Sequence, residues 1–229
     1  KDQIRFTKAV YYHIHPIPLP KPFKDGTGGM GKFAPEQGVI ELYDQEGGCA
    51  HLSVGTSFVD NILPRILNGE TKSYNEWRTE QYWKIRNSGF QSGQACEVGQ
   101  LDLLMLDLLA QRAGKPLHRF LGATKDWAAA YKGGGSLLLS DEELVEDMVR
   151  YVEEGYKTVK FKVGSDNGTN MERDIRRLEK VRAAVGPDIG VAVDANQRWE
   201  VEDAYKFAQL AAPYHLEWFE EPIHSHDMN

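Results

Sequence analysis

The pattern of apolar and polar positions changes character near residue 126. Before it, Ile4–Ile14 is rich in β-branched and aromatic residues and predicts a strand. Pro16, Pro18, Pro20 and Pro22 predict its end, because proline offers no N–H to a ladder. A glycine-rich stretch, Asp25 to Gly31, follows. Val39–Tyr43 and Cys49–Val54 predict a hairpin across 44–48. Polar segments containing tryptophan fill 75–86. Glu97–Ala113 then predicts a helix with Leu101, Leu104, Met105, Leu108 and Leu109 on one face. Gly114 suits its C-terminal cap, and Pro116 prevents continuation.

From about Trp127 the rhythm becomes strand, helix, strand, helix. Strands are predicted over 128–134, 156–163, 189–193 and 216–220, and helices after Ser140, over 170–185 and over 199–212. Ser140 with Glu143 has the spacing of a capping box, and Leu144, Val145, Met148, Val149 and Val152 line one helix face. Alternation of this kind implies parallel strands with right-handed crossovers, in an open doubly wound sheet or a (β/α)8 barrel. The reading is therefore an α+β domain over residues 1–126 and an α/β domain of four βα units over 127–229.

Composition narrows the classes. The 229 residues carry 27 Lys and Arg against 34 Asp and Glu, a formal charge of −7, which argues against a nucleic-acid partner. No apolar run approaches the roughly 20 residues that span a bilayer, so no membrane partner is expected. Two cysteines make no disulfide framework and favour a reducing, cytoplasmic setting.

In both parallel architectures the carboxyl ends of the strands carry the chemistry. Here they bear Lys160 and Lys162, then Asp194 and Asn196, then Glu220 and Glu221. Two lysines two residues apart share a strand face, and at about 7 Å they repel by roughly 2–3 kcal/mol when both are charged. That repulsion pulls one amine towards the basicity a general base needs. Asp194 and Glu220 lie one βα unit apart and would converge. A hard divalent ion such as Mg²⁺, bound through oxygen, removes their mutual repulsion. Alone, Asp194 suits a helix N-cap and Glu220-Glu221-Pro222 a polar turn; their joint occurrence with the lysine pair fits a site better.

These motifs carry a family resemblance. Lys160-Phe161-Lys162, Val193-Asp194-Ala195-Asn196-Gln197 and Trp218-Phe219-Glu220-Glu221-Pro222 resemble the second-, third- and fourth-strand signatures of the enolase superfamily. Leu101–Gly122 resembles the end of that superfamily's capping domain. The Glu-Glu-Pro form, followed by His226-Asp227, is closest to the mandelate racemase subgroup of the mandelate racemase/muconate lactonizing enzyme family, in which acid-sugar dehydratases are numerous. The resemblance implies a capping domain followed by the first half of a (β/α)8 TIM-type barrel, cut after the fourth strand. It implies Mg²⁺ held by Asp194 and Glu220, abstraction by Lys162 of the proton α to a substrate carboxylate, and Lys160 neutralising the resulting ene-diolate. Asn196 would bind substrate. A Lys base with Mg²⁺ is this superfamily's general pattern. The expected reaction is dehydration of a sugar acid by a lyase, with racemase, epimerase or cycloisomerase as the alternative, in a homo-oligomer, dimer or octamer. The family's third metal ligand lies on a fifth strand, absent from this chain, so the chain alone is expected to be inactive.

Other signals compete less well. Gly26–Lys32 matches a phosphate-loop spacing, but Phe33 replaces the required Ser or Thr; a mobile lid is the better reading. His224 and His226 form a zinc-like pair, the basis of an alternative amidohydrolase-type reading. A non-catalytic assembly protein is a further alternative. His13 and His15 alternate on one strand face, with a structural role as the default.

Overall fold

The structure is a computed structural model that describes residues 2–33, 37–89 and 92–227. In chain order its first elements are β1 (Gln3–Ile4), β2 (Phe6–Ile14), β3 (Pro18–Lys24), β4 (Met30–Phe33), β5 (Gln37–Asp44), β6 (Cys49–Val54), α1 (Thr56–Asn61), α2 (Leu63–Ile66), β7 (Lys72–Ser73), α3 (Tyr74–Ile85), α4 (Gly93–Arg112) and α5 (Leu117–Phe120). Then follow β8 (Lys132–Gly134), α6 (Asp141–Glu153), β9 (Thr158–Lys162), α7 (Met171–Val185), β10 (Gly190–Asp194), α8 (Val201–Ala211) and β11 (Phe219–Glu220). The chain divides into two units, Lys1–Ile17 with Pro35–Trp127, and Pro18–Ala34 with Ala128–Asn229. Segment 18–34, assigned from the sequence to the first 126 residues, thus groups with the second unit.

In the first unit β2, β5 and β6 form an antiparallel sheet in the order β2-β5-β6. Strict alternation along β5 buries Ile40 and Leu42 and leaves Val39, Glu41 and Tyr43 half-exposed. α4 supplies Leu101, Leu104, Met105 and Leu108 to the same core, and Leu109 packs at its margin. α3 begins with a capping box, Ser73 and Glu76 each accepting from the other's backbone N–H. Trp77 then reaches the core and donates its indole N–H to the carbonyl of Ile4 at 2.9 Å.

The second unit holds a four-stranded parallel sheet in sequential order, β8-β9-β10-β11, linked by α6, α7 and α8. Ser140 and Glu143 close the expected capping box on α6. Val159, Phe161, Val191 and Val193 face Leu144, Met148, Leu178, Val181 and Phe207. Gly135 is obligatory: its φ is +66°, and a Cβ there would lie 2.3 Å from the Cβ of Phe161. β8 and β11 are shorter than the sequence predicts, because few of their residues find ladder partners.

The proline run behaves differently from expectation. Pro18–Lys24 is itself a strand, hairpinned to Met30–Phe33. The register shifts between Pro18 and Phe23, so Pro20 and Pro22 fall at the irregularity. A two-stranded ribbon leaves each strand an open edge, where a missing N–H costs no ladder bond. Lys24 N–H donates to Ser136 Oγ at 2.9 Å and its carbonyl accepts from Leu137 N–H at 2.9 Å. At the turn, Gly26 meets the end of β10 so closely that a Cβ would lie 2.0 Å from the carbonyl oxygen of Ala195. Arg198 donates to the Gly26 carbonyl at 3.4 Å.

Candidate active site

Alternation along β9 sends Val159 and Phe161 into the core and Lys160 and Lys162 to the opposite face. Parallel register then sets the row. Asp194, at the end of β10, pairs with Lys162 on one side and Glu220 on the other. The Lys162 ammonium donates to Asp194 Oδ2 at 2.7 Å. Lys160, one step earlier, bridges two strands, donating to Asp194 Oδ2 at 3.2 Å and Glu220 Oε1 at 2.7 Å. The side chains of Asp194, Lys160 and Lys162 are 2%, 10% and 15% exposed, whereas Glu220 is 32% exposed. All four predicted charged residues therefore meet in one cluster.

The cluster corrects one electrostatic expectation. Burial pulls Lys160 down, but its hydrogen bonds and attraction to Glu220 and Asp194 outweigh this and hold it above the ordinary lysine value. For Asp194, burial pushes upward, yet the Lys162 hydrogen bond, the Asn196 N–H and both lysine charges hold it below the ordinary carboxylate value.

Beyond the strand ends the backbone is strained. Asn196, Gln197 and Glu221 adopt φ of 47°, 62° and 42°, the left-handed region that costs non-glycine residues of order 1–3 kcal/mol each. Several bonds fix them. Asn196 N–H donates to Asp194 Oδ1 at 2.9 Å, and Gln197 N–H to the Glu221 carbonyl at 2.7 Å. The Asn196 side chain donates to Glu221 Oε2 at 3.4 Å, while its own Oδ1 is buried without a hydrogen-bond partner. Asp194 does not cap a helix; the N-cap of α8 is Glu200.

Sequence reasoning missed several members. Tyr131 places its ring 5.4 Å from the Lys160 ammonium and packs edge-on against Trp218 at 4.9 Å. Trp218 donates to Glu220 Oε2 at 2.9 Å. Phe23, Tyr131, Gly133, Gly134, Lys160 and Lys162 line a cavity of about 420 Å³. Beneath the strand ends, α7 inserts two buried charges. Asp174 accepts from Gly164 N–H at 2.9 Å and Ser165 Oγ at 2.5 Å, and Arg177 donates to the carbonyls of Ser136 at 2.9 Å and Lys162 at 3.3 Å. Burial lowers the Arg177 guanidinium to about 10. Period-2 alternation flags Trp218, two residues before Glu220, but nothing in the polarity of α7 marks Asp174 or Arg177 as interior.

Among the described residues, no group of three or more His, Cys, Asp or Glu side chains is arranged to hold a metal ion. The site offers instead two carboxylates from adjacent strands with one ammonium already between their oxygens. That is a donor set a hard divalent ion accepts when water and substrate oxygens complete its shell. His224 and His226 lie after β11, exposed, with ring centroids 5.0 Å apart. No helix among the described residues is long and apolar enough to cross a membrane.

Comparison with known proteins fits this geometry. Residues 143–229 match the family model described as enolase C-terminal domain-like. L-talarate/galactarate dehydratase of Salmonella typhimurium is 33% identical over 207 residues, covering 90% of this chain and 48% of that enzyme. Its crystal structure, liganded with Mg and L-lyxarohydroxamate, superposes with a TM-score of 0.76 at 29% identity over 99% of this chain and 60% of that one. A racemase from Streptomyces coelicolor with bound magnesium shares the fold, with a TM-score of 0.84 at 24% identity over 97% of this chain and 64% of that one. Other relatives are cycloisomerases, epimerases and racemases. The chain spans about half the length of the dehydratase it matches. With its lysine pair and carboxylates on successive parallel strands, the chain belongs to the mandelate racemase/muconate lactonizing enzyme family of the enolase superfamily.

Proposed function

We propose that this chain contributes half of the active site of a Mg²⁺-dependent enzyme that abstracts the proton α to a carboxylate, with dehydration of a sugar acid as the reaction. Its four βα units are the first staves of a (β/α)8 barrel, and activity belongs to the completed barrel. The observation that carries this reading is the interlocked cluster of Lys160, Lys162, Asp194 and Glu220 at the ends of consecutive parallel strands.

Asp194 and Glu220 would hold the metal. Bound there, Mg²⁺ would supply Lewis-acid stabilisation of negative charge on the substrate carboxylate. Lys162, in its neutral form, takes the α-proton at Nζ. The Lys160 ammonium faces the oxygens on which charge develops, where a fixed cation in a poorly hydrated site lowers the barrier most. Asn196 donates or accepts at the substrate, and its unpartnered Oδ1 supports that role. Phe23 and Tyr131 supply an aromatic wall to the adjoining cavity. Dehydration is preferred because, among the relatives named for acid-sugar chemistry, two dehydratases are 33% and 31% identical and two cycloisomerases 25% and 26%. Epimerisation and cycloisomerisation share the first proton abstraction and differ in the second acid, so they are the alternative outcome.

The test is a screen of sugar acids with Mg²⁺ against the completed barrel. Appearance of a 2-keto product with loss of water supports the reading. Inversion or ring closure without water loss selects the alternative. Activity that persists in Asp194→Asn would refute the metal assignment.

A further inference from the structure

Glu220 is held from two sides. Its Oε1 accepts from Lys160 at 2.7 Å, and its Oε2 accepts from the indole N–H of Trp218 at 2.9 Å. Trp218 lies two residues earlier on the same chain, so strand alternation gives the two side chains one face. Its ring is braced edge-on by Tyr131 at 4.9 Å, and Tyr131 in turn sits 5.4 Å from the Lys160 ammonium. A half-exposed glutamate samples several rotamers unless something fixes it. Here an uncharged donor with no acceptor of its own occupies one oxygen and leaves the other directed at the cationic position.

We propose that Trp218 is a positioning residue for Glu220: its N–H keeps Oε2 occupied, so that Oε1 is the oxygen left for a divalent cation, and Tyr131 keeps the indole in place. The inference rests on the reading of Glu220 as a metal ligand. Outer partners of ligating carboxylates typically change metal affinity by about 10–100-fold. Lys160 cannot do this work, because it competes with the cation for the same oxygen.

The experiment is titration of the completed barrel with Mn²⁺ alone, free ion being read by electron paramagnetic resonance, in wild type, Trp218→Phe, Trp218→His and Tyr131→Phe. A roughly tenfold loss of affinity in Trp218→Phe, a smaller loss in Trp218→His, which keeps a ring N–H, and none in Tyr131→Phe, which keeps the ring, are expected. Equal affinity in wild type and Trp218→Phe overturns the proposal while leaving the metal reading intact. No Mn²⁺ uptake by wild type overturns the metal reading and the positioning role with it. If Trp218→Phe does not fold, ¹⁵N spectra of wild type and Glu220→Gln decide. An upfield move and faster exchange of the Trp218 indole N–H in Glu220→Gln sustain the proposal, and an unchanged resonance sinks it.

Discussion

Two strands of this molecule alternate in the same way and mean different things by it. In β5, Val39, Glu41 and Tyr43 form the half-exposed face of an antiparallel sheet. Glu41 there is satisfied at the rim by the Tyr43 hydroxyl at 2.7 Å and by His51 at 3.6 Å. In β9, Lys160 and Lys162 also take every second position, yet Lys160 is only 8% exposed. On the first strand a tyrosine hydroxyl and a rim histidine settle the charge. On the second, only oppositely charged ends of neighbouring strands can, and the parallel register delivers them. Alternating polarity in an antiparallel ribbon therefore marks a surface, whereas in a parallel sheet it marks chemistry.

The largest effect should come from Lys162→Ala. Exchange of the substrate α-proton with solvent deuterium, followed by NMR, should slow by about 10³-fold in the completed barrel. Glu41→Gln, the matching change on the antiparallel face, should leave that rate unchanged. Similar losses from both would erase the contrast. Next comes Lys160→Met, which leaves Asp194 and Glu220 facing each other without the bridge. Breaking a buried pair costs about 3–5 kcal/mol, and the exposure of Glu220 reduces this to about 2 kcal/mol. Urea unfolding should show that deficit without metal and its partial recovery with Mg²⁺, since a cation restores what the ammonium supplied.

A comparable change is expected for Gly26→Ala. The added methyl collides with the Ala195 carbonyl, so the hairpin turn must retreat, at a cost of about 1–3 kcal/mol by analogy with overpacked sites. Hydrogen exchange at Leu137 N–H, which bonds to Lys24, should quicken; unchanged protection would contradict the docking. Smallest is Asp141→Asn, whose two partners, Arg176 and Lys180, are themselves largely solvated. Burial pushes Asp141 up, but Arg176 and Lys180 outweigh it and hold the carboxyl below its usual range. A depressed carboxylate stabilises above its unfolded pKa and loses this as pH falls through the folded one. Wild type should exceed Asp141→Asn by about 0.5–1 kcal/mol at neutral pH, and the gap should close below about pH 4. A constant gap down to pH 3 would show that the charge contributes nothing.

Much of this was legible where local rules and tertiary demands agree. The capping box at Ser140 and the apolar stripe of α6 announce that helix, and the period-2 pattern of 158–162 puts both lysines on one face. Alternation and strand order together brought Asp194 and Glu220 to them. The hairpin at 18–33 was not legible, because its prolines argue against a strand unless one knows that its edges are free. Asp174 and Arg177 were hidden because a charged helix face ordinarily points to water, and only the folded chain shows that it lies beneath the strand ends. Tyr131 escaped because its neighbours come from other strands.

The turn at Gly26 bears on how the chain assembles. Its partner Arg198 lies 172 residues away, so closing that contact entails a large loss of chain freedom and gains little until the third parallel strand exists. During synthesis Lys24 can dock on Ser136 and Leu137 early, but the turn at Gly26 must wait until the end of β10 has emerged. Under denaturing stress that turn should be the first contact of the hairpin to open.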